Sequence, residues 1–314
     1  MSLSVFQKCN TYTCKLKYIF LFRYLLDVGE GKIKANQKNE SDMMDIPEEE
    51  VEDHDKDVSD KMIEIPDYLR SKSRSVDEFC NEIFPNLKKE YTKRSPSSWK
   101  DWLLSRAIIC PTNVEAAGIN QKLISQLPGQ SWKYYSYDKV LDKEQEHRFP
   151  TEWLNRQEKS SMPSHVLELK EGAPIMLIRN LDPKNGHVNG SRYIVIKLSP
   201  NVIYAELATG PKAGEKLMIP RILFHPQDPG LPFEFERKQF PVRPCFGMTS
   251  NKSQGQTLGQ VGICLTTDFF AHGQLYVAMS RVQSPNDLKI FKPLDKEGNP
   301  QLCMKNVVFQ EILS

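Results

Sequence analysis

The stretch Arg106-Ala-Ile-Ile-Cys-Pro-Thr-Asn-Val-Glu-Ala-Ala-Gly-Ile-Asn-Gln-Lys-Leu-Ile-Ser-Gln-Leu127 decides the fold class. Ala107–Cys110 is a short apolar run, which predicts a buried strand, and Pro111-Thr-Asn punctuates it as a turn. Apolar residues at Val114, Ala117, Ile119, Leu123, Ile124 and Leu127 then predict a helix. A buried strand, a polar turn and a helix form the repeating unit of a parallel α/β sheet.

Upstream, Ser75 with Glu78 three residues later forms a capping-box pattern. Val76, Phe79, Ile83 and Phe84 follow at helical spacing until Pro85 ends the helix. Trp99, Trp102, Leu103 and Leu104 predict another short helix. Downstream, residues 165–225 change character. Strand-like runs at Leu167–Leu169, Ile175–Ile178, Tyr193–Ile196, Val202–Ala205 and Leu217–Ile219 alternate with turns such as Asn185-Gly and Ser199-Pro-Asn. Short strands at this spacing predict a small β-barrel. From Phe240 the α/β pattern resumes. Val261–Leu265 reads as a buried strand, His272–Ser280 as a helix and Leu288–Phe291 as the final strand, so the barrel is inserted into an α/β domain.

The net charge of +2 conceals a division. Residues 40–60 hold eleven acidic residues and one lysine, which leaves about +12 on everything else. The acidic run predicts a disordered tract inside a polar linker over 32–64. The basic remainder suits a polyanion. Seven cysteines without a C-x-x-C pair argue against a zinc site or a secreted scaffold and predict free thiols. Tyr18–Leu26 is too short for a membrane span and reads as a partly buried helix. The expected setting is nuclear or intracellular, with no membrane.

Two segments carry chemistry. In Met248-Thr-Ser-Asn-Lys-Ser-Gln-Gly-Gln-Thr-Leu258, seven consecutive positions from Asn251 to Thr257 are polar or glycine. Gly255 lets backbone amides approach a phosphate. Lys252, Ser253, Gln254 and Thr257 supply donors for phosphate and ribose oxygens. In His272-Gly-Gln-Leu-Tyr-Val-Ala-Met-Ser-Arg-Val282, Leu275, Ala278 and Met279 share one helix face and Arg281 leaves its end. A planar guanidinium there suits charge on a transferring phosphoryl group.

Together, FGMTSNKSQGQTL and HGQLYVAMSRV resemble the last two motifs of superfamily-one helicases in the form typical of the Pif family, Helitron-transposon branch. FPTEWLN from Phe149, LELKEGAPIMLIRNLDPKNGHVNGSRYIV from Leu167 and IPRILFHPQDPGLPFEFERKQFPVR from Ile219 extend the likeness. So do RAIICPTNVEAAGIN from Arg106 and LLDVGEGK from Leu25. The chain departs from the pattern at Ser250, where an apolar residue is usual, and at Asn251, where many relatives have His.

The resemblance implies an α/β fold: a RecA-like parallel-sheet domain with an inserted Src-homology-three-like barrel and a partly disordered N-terminal linker. The implied domains are a linker at 1–64, the first part of the second RecA-like domain at 65–150, the barrel at 151–235 and the remainder at 236–314. It implies 5′–3′ DNA unwinding driven by ATP and Mg²⁺. Arg281 is the implied arginine finger, and Gly255, Gln256 and Thr257 the nucleotide-facing residues. Asn251, Lys252, Ser253, Gln254, Thr112 and Asn113 are the implied contacts to single-stranded DNA.

No G-x-x-x-x-G-K-[S/T] occurs in the sequence; the one Gly-Lys, Gly31-Lys32, is followed by Ile33. The family carries that loop and its acidic metal motif in the preceding domain. The expectation is therefore a truncated helicase half that binds neither ATP nor Mg²⁺ tightly alone, or is completed by a P-loop half in trans. The competing expectation is a non-catalytic single-stranded-DNA-binding module or a transposon remnant.

Overall fold

The computed structural model describes residues 24–32, 58–141, 148–158, 161–208, 210, 212–226 and 233–309. In chain order these begin with helix α1 (24–29), strand β1 (Val58–Glu64), and helices α2 (Val76–Ile83), α3 (Leu87–Lys93) and α4 (Pro96–Leu104). Then follow β2 (Arg106–Cys110), α5 (Asn113–Gln126), β3 (Trp132–Tyr135), β4 (Tyr137–Val140), α6 (Thr151–Asn155), β5 (Val166–Leu169) and β6 (Pro174–Leu177). Next are β7 (Arg192–Leu198), β8 (Val202–Leu207), β9 (Lys216–Pro220), β10 (Ile222–Phe224), β11 (Phe235–Gln239) and β12 (Val242–Pro244). The last elements are β13 (Gly247–Thr249), α7 (Ser250–Ser253), β14 (Gln260–Cys264), α8 (Gln274–Met279), β15 (Leu288–Phe291) and β16 (Cys303–Phe309). The chain divides into two compact units. One takes residues up to Ile83, Arg106–Ala116 and Met248 onward; the other takes Phe84–Ser105 and Ala117–Gly247.

The first unit is α/β. Its sheet has the order β13-β2-β14-β15, and β14 runs parallel to both β2 and β15. The apolar runs explain this: Ala107–Cys110 and Val261–Cys264 are buried throughout, as strands covered on both faces must be. Helix α2 packs tightly on β14. A Cβ at Gly262 would lie 2.6 Å from Ile83 Cγ1 and 2.7 Å from Phe79 Cζ, so only glycine admits this approach. The capping box expected at Ser75 forms in part. Glu78 N donates to Ser75 Oγ at 3.2 Å, while the Glu78 carboxylate reaches back to Arg74 N at 2.7 Å.

Three expectations need correction here. The linker read over 32–64 gives way at Val58, because Val58–Glu64 pairs antiparallel with Cys303–Phe309. Leu288–Phe291 is consequently not the final strand. Val114, one of the apolar residues whose spacing predicts α5, is 82% exposed. It sits in the first turn, before the helix reaches the core at Ala116 and Ile119. The acidic run before Val58 and residues 18–23 lie outside the described residues; Leu25, just after them, is buried in α1.

The second unit is antiparallel. Its five-stranded sheet has the order β12-β6-β7-β8-β9, with a register shift between Val195 and Lys197. A three-stranded sheet β10-β11-β4 and the pair β3-β5 complete it. Leu167, Leu169, Ile175, Tyr193, Ile203 and Phe240 belong to one apolar cluster, and Val140, Leu154, Met162, Phe224 and Phe235 to a second. Beside the second cluster lies an ion pair, Arg237 with Asp138, both fully buried. Arg237 Nε and Nη2 grip the carboxylate at 2.7–3.0 Å. Nη1 donates to the carbonyls of Gln157 and Pro163, and Nη2 also to that of Leu154. Every guanidinium nitrogen is satisfied, which is the condition for burying a charge.

Cys80, Cys110, Cys245, Cys264 and Cys303 are free thiols, all buried except the half-buried Cys303. Burial pushes the Cys264 thiol up to about 12 and raises Cys110 and Cys245 as well. Thiolate is the reactive species. Native-state labelling with a thiol reagent at neutral pH therefore modifies Cys303 before the other four, as peptide mapping by mass spectrometry would read. Labelling of Cys264 or Cys110 at the rate of Cys303 would contradict the buried placement.

Candidate nucleotide and nucleic-acid interface

Strand β13 delivers the chain to the first chemical segment. The side chain of Asn120 fixes this point: its Nδ2 donates to the Gly247 carbonyl and its Oδ1 accepts from Gly247 N, both at 2.9 Å. The segment begins as one helical turn, α7. Its serines are interior. Ser250 Oγ donates to the Gln274 carbonyl at 2.7 Å, so the residue that departs from the family pattern joins the two motif segments. Ser253 Oγ donates to the Ser250 carbonyl at 2.7 Å and the residue is fully buried. This corrects the expectation that Ser253 presents a hydroxyl to DNA: its donor is occupied within the turn. Asn251, Gln254, Gly255 and Thr257 are exposed, and Lys252 is half-buried.

After α7 the chain turns through Gly255 at φ 78°, a conformation that favours glycine, with no heavy atom within 4 Å of a built Cβ. Gln256 closes the turn. Its N–H donates to the Ser253 carbonyl at 3.1 Å and its Nε2 to the Lys252 carbonyl at 2.9 Å. Its Oε1 is buried with no hydrogen-bond partner among the described residues.

The second segment begins at Gly273, whose φ of 70° starts α8 two residues later than the helix expected from His272. Strand β16 holds this end. Phe309 N donates to His272 Nδ1 at 2.8 Å, the two rings stack at 5.3 Å, and Gly273 N donates to the Val307 carbonyl at 3.1 Å. Arg281 leaves the other end. Its Nε donates to the Val277 carbonyl at 2.8 Å and its Nη2 to Ser280 Oγ at 2.8 Å. Nη1 reaches the carbonyls of Gln256 at 3.3 Å and Ser253 at 3.5 Å. Its own carbonyl accepts from Leu258 N at 2.9 Å. Arg281 and the turn at Gly255–Gln256 are thus bonded together. Burial lowers the guanidinium pKa, with Tyr276 opposing, yet arginine remains charged at any relevant pH.

Thr112 and Asn113 sit past the carboxyl end of β2, the edge where parallel sheets hold ligands. Thr112 forms a reciprocal capping box with Glu115: Thr112 N donates to Oε2 at 3.0 Å, and Glu115 N to Thr112 Oγ1 at 3.3 Å. The other carboxylate oxygen accepts from Thr267 N at 2.8 Å and from the hydroxyls of Thr266 and Thr267. Glu115 therefore ties the ends of β2 and β14 together. Sequence reading missed this residue, although Thr112-x-x-Glu115 carries the capping signature. Asn113 is exposed on the same rim. The set therefore falls into two groups. Residues 250–257 join Arg281, and Thr112 with Asn113 joins Thr266–Thr267, on strands that are neighbours in the sheet. Among the described residues there is no group of three His, Cys, Asp or Glu that could hold a metal, and no helix is long and apolar enough to cross a membrane.

At the strand ends of this parallel α/β sheet, then, a glycine turn is bonded to an arginine. Residues 152–198 match the family described as DNA helicase Pif1, 2B domain. The chain is 27% identical over 211 residues to the ATP-dependent DNA helicase PIF1 of Homo sapiens, covering 62% of this chain and 28% of that one. It is 31% identical over 199 residues to PIF1 of Xenopus laevis (61% and 28%), and 28% over 227 residues to Pif1 of Campylobacter jejuni (69% and 47%). The Pif1 helicase crystal structure from Candida albicans is 24% identical at TM-score 0.46, covering 63% of this chain and 47% of that one. The Bacteroides Pif1 structure in complex with ADP-AlF3 and ssDNA is 21% identical at TM-score 0.45 (77% and 55%). The matched residues are similar to Pif1 DNA helicases over about two thirds of this chain. The chain spans about a quarter to a half of the length of these curated relatives.

Proposed function

We propose that this chain supplies one wall of an ATP-driven DNA helicase of the 5′–3′ Pif type, Helitron branch, and that the wall acts on single-stranded DNA. One observation carries the reading: Arg281 Nη1 lies on the carbonyls of the Gly255 turn. At 3.3–3.5 Å these are long bonds to neutral acceptors. An anionic phosphoryl oxygen is a stronger, charge-assisted acceptor and would draw the same fork away. Gly255, Gln256 and Thr257 are the proposed nucleotide-facing residues. Gln256 Oε1, buried and unpartnered, is available to a ligand donor. Asn251, Lys252, Gln254 and Asn113 are the proposed DNA contacts, with Thr112 holding the rim.

The donors fit the phosphates of ATP. No carboxylate set among the described residues fits Mg²⁺. A P-loop domain, in cis or in trans, would supply the metal ligands and the P-loop lysine, since these 314 residues contain no P-loop. Bound ATP would supply the phosphoryl group; this chain's part is to place a charge at its edge and to hold DNA. An Src-homology-three-like barrel is the proposed core of the antiparallel unit; its proposed bounds of 151–235 leave out β3 and β12, which pair with its strands β5 and β6.

DNA binding is tested directly by fluorescence anisotropy with labelled single-stranded DNA. Affinity should fall by at least about tenfold between about 50 and 200 mM salt, since backbone contacts release counterions. The sequence of the oligonucleotide should matter little. Absent binding, or binding indifferent to salt, would overturn this part of the proposal.

A further inference from the structure

The antiparallel unit carries a second aromatic and basic surface, away from both motif segments in sequence. On the sheet β10-β11-β4, Leu223 pairs with Lys238 and Lys238 with Tyr137, so the three side chains form one row across the outward face. The inward face of the same strands buries Asp138, Val140, Phe235 and Arg237. The row borders a cleft of about 520 Å³ lined by Tyr135, Tyr137, Arg221, Leu223, Glu236 and Lys238. Tyr135 is 59% and Tyr137 64% exposed, an unusual pair of aromatic faces to leave in water.

Arg221 is rigidly mounted at the edge. It lies 4.7 Å over the Phe240 ring and donates Nη1 to the Tyr135 carbonyl and to Gln239 Oε1. Glu236 is opposite Lys139 in the register, so an acidic and a basic residue are neighbours on this face. Two aromatic faces flanked by Arg221 and Lys238 reproduce the chemistry of a single-strand platform: bases stack on rings while cations meet phosphates.

We infer that this cleft binds a short run of single-stranded nucleic acid, by stacking on Tyr135 and Tyr137 with phosphates on Arg221 and Lys238. The inference rests on the reading that the chain handles single-stranded DNA, and it adds a contact surface outside the helicase motifs. A proline-rich peptide is the other occupant that an aromatic groove could take. It is disfavoured here because the flanking cations gain nothing from an uncharged ligand.

The test is anisotropy with a labelled oligothymidylate of about 12 nucleotides, on the full chain carrying Y135A/Y137A, Y135F/Y137F or Lys238→Ala. Circular dichroism confirms that each variant folds. Y135A/Y137A should bind at least about fivefold more weakly, the value of losing stacking under one base. Y135F/Y137F should bind like the parent, because the rings remain. Lys238→Ala should lower the salt slope by about one. Folded Y135A/Y137A that binds like the parent would overturn the cleft while leaving DNA binding at the motif segments intact. A parent that binds no DNA would overturn both. A proline-rich peptide that binds the parent and is lost in Y135A/Y137A, with DNA affinity unchanged, would replace this occupant with the other.

Discussion

Replacing Arg237 with alanine should destabilise the antiparallel unit by about 3–5 kcal/mol, because it strands the Asp138 carboxylate in a fully buried site. The pair bridges β11 and β4 directly, since Arg237 and Asp138 are opposite each other in the register. The same guanidinium also ties down the carbonyls of Leu154, Gln157 and Pro163, so the connection around α6 loosens with it. Asp138→Ala leaves the buried cation unpaired and should cost a similar amount. The double replacement Asp138→Leu with Arg237→Met removes both charges and should lose much less than either single change. Urea unfolding of the four proteins gives the comparison. Single variants unfolding within about 1 kcal/mol of the parent would mean that the pair is solvated and the burial misplaced.

The second large effect concerns turnover. In a protein completed by a P-loop domain from a Pif1 relative joined ahead of Leu25, Arg281→Ala should lower ATP hydrolysis by on the order of 10³. An arginine finger stabilises charge that develops only in the transition state. Its loss therefore lowers kcat while nucleotide affinity changes less. Arg281 also bonds the carbonyls of Ser253 and Gln256, so a merely structural role must be separated. Arg281→Lys keeps the charge and loses the fork. It should restore thermal stability without restoring turnover. Full turnover in Arg281→Ala would place the finger elsewhere.

Much of the first unit was legible because its strands are buried on both faces. Ala107–Cys110 and Val261–Cys264 read as continuous apolar runs, and Thr112 and Asn113 mark the start of α5. The strand pair β1–β16 was not legible. Its partners are more than 230 residues apart, and Val58–Glu64 continues an acidic tract with little alternation of its own. The turn α7 was hidden for a different reason. Ser250 and Ser253 look like loop residues, but their hydroxyls are satisfied by the carbonyls of Gln274 and Ser250, which lets them be buried. Nothing in the sequence around Arg237 and Asp138 marks them as a buried pair. Only the tertiary fold brings together the carbonyls that make their burial tolerable. At the site, the grouping of Gly255 with Arg281 followed from the motif resemblance. The clasp of Glu115 on Thr266 and Thr267, and the anchoring of His272 by β16, depended on contacts between distant segments.

The central claim is that this chain is one wall of a two-walled motor, and DNA-stimulated ATP hydrolysis tests it most directly. The chain alone, the P-loop domain alone, and the two joined should be assayed with and without single-stranded DNA. The account predicts negligible turnover by this chain alone. It predicts DNA-stimulated turnover by the joined protein, well above the sum of its parts. A joined protein that folds and binds DNA yet hydrolyses no ATP would contradict it. So would hydrolysis by this chain alone that disappears with Arg281→Ala.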